Sequence, residues 1–237
     1  KERLTFPSDG EQGLEISCNF AGVKYDEQME NQSITKIQVR PLQIEDYGQL
    51  AQSFRRVYSD GSDVFWTHEQ IETLLRIFPE GQVVTVADDK IIGCALSIIV
   101  DYDLVKGDHT YAKVTGNETF STHNPKGNIL YGIEVFIHPD YRGLGLAKRI
   151  KTASFRLARL RWPKAKIFSL TSGAAVMKMN TELGYVPVTF NELTDDESFW
   201  KGCEGCINHD ILAAKNRKFC ICTAMLYDPN LHEEDKI

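Results

Sequence analysis

Two groups of residues in this chain have the types and spacing to do chemistry. The first is Arg142-Gly143-Leu144-Gly145-Leu146-Ala147-Lys148, where two glycines let the backbone approach another group closely before the chain enters a helical stretch over residues 146–161. A glycine-rich turn that feeds a helix N-terminus offers unpaired N–H groups and the positive end of the helix dipole, which suits an anion and typically a phosphate. Lys148 and Arg149 are close enough to assist, whereas Lys151, Arg156, Arg159 and Arg161 read as a solvated helix face. The second group is Cys203-x-x-Cys206 and, after thirteen intervening residues, Cys220-x-Cys222. Four thiolates so spaced can close a tetrahedron around a structural Zn²⁺; Cys220 and Cys222 on one strand face can equally be packed side chains, and both readings stay open. Cys18 and Cys94 read as ordinary buried cysteines.

Two other uses of the glycines are disfavoured by the neighbouring residues. A dinucleotide-binding turn wants Gly-x-Gly-x-x-Gly, but Lys148 stands at the third glycine position; a P-loop wants Gly-Lys-Ser/Thr, which is absent.

The elements that must position the turn follow from periodicity. Ile129, Leu130, Ile133, Val135, Phe136 and Ile137 form a buried-strand run, and His138-Pro139-Asp140 ends it because proline cannot donate to a ladder. Upstream, residues 36–42 read as a strand ending in Arg40-Pro41, followed by a helix to about Tyr58. Thr67 caps a second helix whose Ile71, Leu74, Leu75 and Phe78 share one face. Residues 82–87 and 91–100 are strands joined by the polar connection Asp88-Asp89-Lys90. Residues 101–127 form a long polar loop of the kind that is often functional. Downstream come a strand at 166–170, a helix at 173–183 closing on Gly184, and strands at 185–190 and 219–226. Residues 1–35 show no clear period apart from strand-like alternation at 14–20, and Thr194-Asp195-Asp196-Glu197 reads as a helix start.

Composition places the chain among ordinary globular proteins: 237 residues, 42% hydrophobic, 25% charged, with a formal charge of −6. The acidic balance argues against a general nucleic-acid binder. No apolar run approaches the ~20 residues that span a bilayer, and no charged-then-apolar leader opens the sequence, so a cytoplasmic location without membrane partners is expected.

The strand with Pro139 and Tyr141, followed by Arg142-x-x-Gly145-x-Ala147, resembles the pyrophosphate-binding signature of the GNAT superfamily of acyl-CoA-dependent N-acyltransferases. Glu182-Leu183-Gly184-Tyr185, between a helix and a strand, resembles that superfamily's second recurrent signature, and the opening strand, Arg-Pro, Asp and helix are similar to its usual start. The resemblance implies an α/β (α+β) fold with a mixed, largely antiparallel sheet splayed at the central strand and helices on both faces. It implies acetyl-CoA as acyl donor, with the main chain at Phe136 and Ile137 pairing with the pantetheine arm. Arg142, Gly143, Leu144, Gly145, Leu146, Ala147 and Lys148 would hold the phosphates. The domain would cover residues 36–193, preceded by an extension at 1–35 and followed at 194–237 by a cysteine-containing extension that completes the sheet.

Acyl transfer from a thioester needs a neutral amine, a polarised carbonyl and a proton for the departing thiolate. The resemblance puts Glu134 at the place of the base. Where the superfamily commonly carries a tyrosine acid, this chain has Asn180, which cannot protonate a thiolate; Tyr131, Tyr141 or water remain as substitutes. Residues 66–143 also resemble the acetyltransferase half of bacterial proteins in which a GNAT domain precedes a carbon–nitrogen hydrolase. Residues 142–229 are similar to stand-alone GNAT proteins of Bacteroidetes associated with arginine biosynthesis. The expected partner is a small-molecule primary amine, compatible with glutamate or ornithine. A homodimer and a non-catalytic acyl-CoA-binding module both stay open.

Overall fold

The structure is a computed structural model that describes residues 37–57, 65–101, 111–171, 174–188 and 223–232. Four antiparallel strands form one half of the sheet: β1 (Ile37–Pro41), β2 (Val83–Ala87), β3 (Lys90–Val100) and β4 (Ile129–Ile137). The β2–β3 hairpin turns where expected, with Asp88 and Asp89 both at positive φ (44° and 66°), a conformation that aspartate tolerates better than most residues. β3 is buried along its length apart from Lys90, because helices cover both faces of the sheet at this strand. On one face α1 (Tyr47–Val57) and α2 (His68–Ile77) bring Leu50, Phe54, Ile71 and Leu74 onto Leu96, Ile98, Tyr131 and Phe136. On the other, α4 (Leu146–Arg161) packs Ile150 on Val83 and Ala95, and Leu157 and Ala158 on Ile99, Leu130 and Ile167.

Local chemistry holds the helix starts. Thr67 Oγ1 accepts the Gln70 amide at 3.2 Å and Gln70 Oε1 accepts the Thr67 amide at 2.8 Å, a reciprocal cap that satisfies two otherwise unpaired donors. Before α1, Asp46 takes both guanidinium branches of Arg40 at 2.7 Å each and the Gln43 amide at 2.9 Å. Burial pushes the Asp46 carboxyl up, but the Arg40 and Gln43 bonds outweigh it and leave the group below its ordinary value.

The second half of the sheet contains β5 (Lys166–Thr171), β6 (Val186–Val188) and β7 (Thr223–Tyr227), giving the order β1-β2-β3-β4-β5-β7-β6. Among the described residues the one parallel pair is β4–β5, and its register covers Ile129↔Lys166, Leu130↔Ile167 and Tyr131↔Phe168. Past Phe168, β5 follows β7 alone, so Gly132–Ile137 of β4 has no strand partner on this side among the described residues. The sheet is thus mixed, mostly antiparallel and splayed at its central strand.

Several expectations shift in detail. The 101–127 stretch is not a bare loop: it carries α3 (Tyr111–Thr115) and returns beside β3, where Asn124 and Asn128 donate to the Ile99 and Val100 carbonyls. Helix α5 runs Ala174–Glu182 and ends at Gly184, φ 87°. Of the expected strand at 185–190, residues 186–188 are strand and Tyr185 precedes it; the last strand is described over 223–227, with β7 lying between β5 and β6. The expectations for residues 1–35, including Cys18, for the helix start at Thr194, and for Cys203, Cys206, Cys220 and Cys222 fall outside the described residues. Cys94 is buried, as read from the sequence, and burial pushes its thiol pKa well up.

Candidate acyl-CoA site

The splay begins at a bulge. Between Leu96↔Glu134 and Ser97↔Gly132 the β3–β4 register slips by one residue, so Ile133 is extra on β4 and the strand bends there. Gln82 holds the opposite side. Its Oε1 accepts the Ser97 amide at 3.1 Å while its Nε2 donates to the Ser97 carbonyl at 2.9 Å, so a side-chain amide continues the ladder that β2 leaves at Val83↔Ala95. At the apex of the splay, Tyr131 stacks on Phe168 with ring centroids 5.0 Å apart and planes 9° from parallel. Burial raises the Tyr131 phenol above its usual pKa, which keeps it protonated.

The other end of β4 leads into the glycine turn. Leu144 and Leu146 anchor it in a small apolar cluster with Ile37, Ile92 and Ile137, and Arg142 Nε donates to the Ile137 carbonyl at 3.4 Å. Gly143 and Gly145 have φ of 82° and 73°, a region L-residues avoid, and a Cβ on either would meet nothing within 4 Å. Arg149 N–H closes the first turn of α4 on the Gly145 carbonyl at 3.1 Å, and the helical amides before it have no intrahelical acceptor. The turn therefore sets amides without intrahelical acceptors beside open space at the positive end of a 16-residue helix, an arrangement that suits an anion such as a pyrophosphate. Lys148 is turned toward α5, where its Nζ lies 2.7 Å from Glu182 Oε2.

Phe136 and Ile137 are buried on opposite faces, Phe136 edge-on to Phe54 at 5.6 Å, so what they can offer a ligand along the free edge is main chain. Glu134 is half-buried on the α1/α2 side of the bulge, and its Oε1 accepts the Val135 amide at 3.1 Å. Tyr111 of α3 stands nearby, its hydroxyl 3.5 Å from the Ile133 carbonyl; burial, then the charge of Glu134, push its phenol well above the ordinary pKa. Sequence reasoning missed Tyr111, whose only signal was the unusual length of the connection that carries it. Tyr131 and Glu134 thus come together at the bulge. Tyr141 and His138 do not: they pair edge to face at 5.7 Å at the opposite end of the strand.

Asn180 is fully buried, its Oδ1 accepting Lys151 Nζ at 2.6 Å and its Nδ2 reaching Ser169 Oγ and Met225 Sδ at 3.4 Å each. Here the reading of Lys151 as part of a solvated face is overturned. Only 7% of Lys151 is exposed, because α5 leans on this side of α4 and β5 closes it from below.

No helix among the described residues is long and apolar enough to cross a membrane, and no three metal-ligating side chains group there.

The model of the Acetyltransferase (GNAT) family matches residues 49–185. The chain is 32% identical over 95 residues to the "Uncharacterized N-acetyltransferase YkwB" of Bacillus subtilis, a match covering 40% of this chain and 42% of that protein. It is 36% identical over 94 residues to the "Probable hydrolase YhcX" of the same organism, covering 40% of this chain and 18% of the other. The chain therefore spans less than half the length of either relative. Among solved structures, the loading GNATL domain of CurA from Lyngbya majuscula superposes with a TM-score of 0.61 at 15% identity, over 84% of this chain and 100% of that one. YncA from Salmonella typhimurium, solved with acetyl-CoA, gives 0.51 at 11% identity over 83% and 96%. With more than half its length matched by the family model and with the splayed sheet and glycine turn in place, the chain belongs to the Acetyltransferase (GNAT) family.

Proposed function

We propose that the protein transfers an acetyl group from acetyl-CoA to the primary amine of a small molecule, with an amino acid such as glutamate or ornithine as the acceptor class and the cytoplasm as its location. The observation that carries this reading is the continuity of the free β4 edge with the glycine turn. A phosphate held at residues 142–148 lets the pantetheine arm run back along Ile137–Gly132, a strand length of about 20 Å, and brings the thioester to the bulge. There Glu134, directly or through water, takes a proton from the incoming ammonium, and the neutral amine attacks the thioester carbonyl. The nitrogen gives up its second proton to water, the tetrahedral oxyanion collapses with loss of the thiolate, and the thiolate takes up a proton, leaving an amide and CoA. Tyr131 and Tyr111 stay protonated beside this point and serve as hydrogen-bond donors.

Residues 36–193 form the acyl-CoA-binding domain in this reading, and residues 194–237 complete its sheet and carry a structural zinc on Cys203, Cys206, Cys220 and Cys222. Elemental analysis of freshly purified protein is expected to find close to one zinc per chain; metal-free protein with unchanged thermal stability would end that part of the proposal. A second reading, an acyl-CoA-binding module without turnover, is favoured by Asn180, whose amide is engaged on both sides. Release of CoA thiol from acetyl-CoA across a panel of amino acids and polyamines separates the two: both bind acetyl-CoA, and only the enzyme accelerates release with a particular amine.

A further inference from the structure

Lys151 is a cation placed where the pattern of an amphipathic helix calls for an apolar side chain. It lies on the inner side of α4 with Ile150 and Ala153, all three buried. Among the described residues, the groups it contacts are neutral or aromatic. From β5 comes the Ser169 hydroxyl at 3.0 Å, from α5 the Asn180 carbonyl oxygen at 2.6 Å, and beyond α5 the Tyr185 ring at 5.2 Å. The charged groups of the packed elements point elsewhere: Lys148 is engaged with Glu182 at the exposed rim, Lys178 adds its field to that same carboxylate, and β7 contributes Met225 and Tyr227. No carboxylate bonds to Lys151 among the described residues. Burial accordingly pulls its pKa down to about 8.

The position of Ser169 gives this cluster meaning. Phe168 is the last β5 residue paired with β4, and it faces Tyr131 on the α1/α2 side. Ser169 follows it, facing the α4 side at the apex where the two strands part. A pantetheine arm lying along β4 with its phosphate at the glycine turn ends at this apex.

We propose that Lys151, acting through the Ser169 hydroxyl, supplies the proton taken up by the departing CoA thiolate. The inference rests on the acyl-transfer reading and fills the role that Asn180 cannot. In the step, the carbon–sulfur bond breaks and its electron pair goes to sulfur. Sulfur takes the Ser169 hydroxyl proton, Ser169 Oγ takes one from Lys151 Nζ, and the neutral lysine regains a proton from solvent, which receives the two protons that the amine nitrogen loses by way of Glu134 and water; one proton is released overall. Asn180 is then a positioning residue that aims the ammonium at Ser169.

The test uses CoA itself as the probe, followed through the ultraviolet absorbance of its thiolate as pH is raised, bound to the wild type, to Lys151→Met and to Ser169→Ala. A protonated Lys151 near the sulfur favours the thiolate, so the bound thiol is expected to begin titrating at lower pH in the wild type than in Lys151→Met, the difference closing above about pH 8 as the lysine loses its own proton. Ser169→Ala should fall between the two. Should the methionine variant not fold, Lys151→Gln removes the charge while retaining a hydrogen bond to Asn180. Identical titrations in wild type and the charge-removed variant, with CoA bound in both, would overturn the proposal and leave acyl transfer standing. Absence of CoA binding to the wild type would instead remove the acyl-transfer reading on which the proposal depends.

Discussion

Gln82 shows how much of the site's geometry hangs on one side chain. It is fully buried and holds both backbone groups of Ser97 opposite the β4 bulge, with a further bond from Nε2 to the Phe78 carbonyl at 2.8 Å. Gln82→Leu keeps the volume but strips partners from the Ser97 amide and from two carbonyls, each buried orphan costing about 1–3 kcal/mol. Urea unfolding is expected to show a loss of roughly 3 kcal/mol or more, with weaker acetyl-CoA binding because the bulge loses its register. A variant as stable as the wild type would mean that water replaces the amide and that the bulge is held by other contacts. Nothing in the sequence around Gln82 announces this role, since a glutamine at a strand start is ordinarily a surface residue. Lys151 misled for the related reason that a lysine on a helix rich in Lys and Arg reads as solvated; only the lean of α5 onto α4 buries it. By contrast, the conformation of Gly143 and Gly145 was legible, because a repeated glycine before a helix has few structural uses other than positive φ.

At the scale of elements, the strands and helices around the turn could be read from periodicity because each has one buried face and explicit end signals, such as Thr67 before α2 and Gly184 after α5. The splay could be expected only through the family resemblance. Pairing between β4 and β5 is a property of two distant segments, and no local pattern states where it stops. The β1-to-α1 junction offers a pH test. Asp46 has its folded pKa lowered, so its contribution is fully present above the ordinary Asp value of 3.8 and is lost as pH falls through that value toward the folded one. Asp46→Asn should reduce stability near neutral pH by on the order of 1 kcal/mol, the pair being partly exposed. The variant should also lack this part of the acid-induced loss seen in the wild type. Parallel stability–pH curves for the two proteins would show that the Arg40 bond has no net worth. Thr67→Ala, which removes one half of the α2 cap, is expected to cost about 1 kcal/mol without altering acetyl-CoA affinity.

For the whole molecule, the sheet order makes the end of the chain part of the fold. β7 pairs with β5 over five residues and with β6 over three, so removing residues 189–237 would leave both without their shared neighbour. Truncation at that point is expected to yield aggregated or unfolded protein, and a soluble, cooperatively folding fragment would contradict the central place of β7. The account as a whole turns on whether the glycine turn and the free edge of β4 together hold acyl-CoA. Calorimetric titration of acetyl-CoA into the wild type and into Gly145→Val tests this most directly. In the variant a branched side chain occupies the open space beside the turn at φ 73° and strains the turn locally by about 1–2 kcal/mol. The account predicts saturable one-to-one binding to the wild type and none to the variant, with circular dichroism showing the two equally folded. Equal affinity in both proteins, or no binding to the wild type, would contradict it.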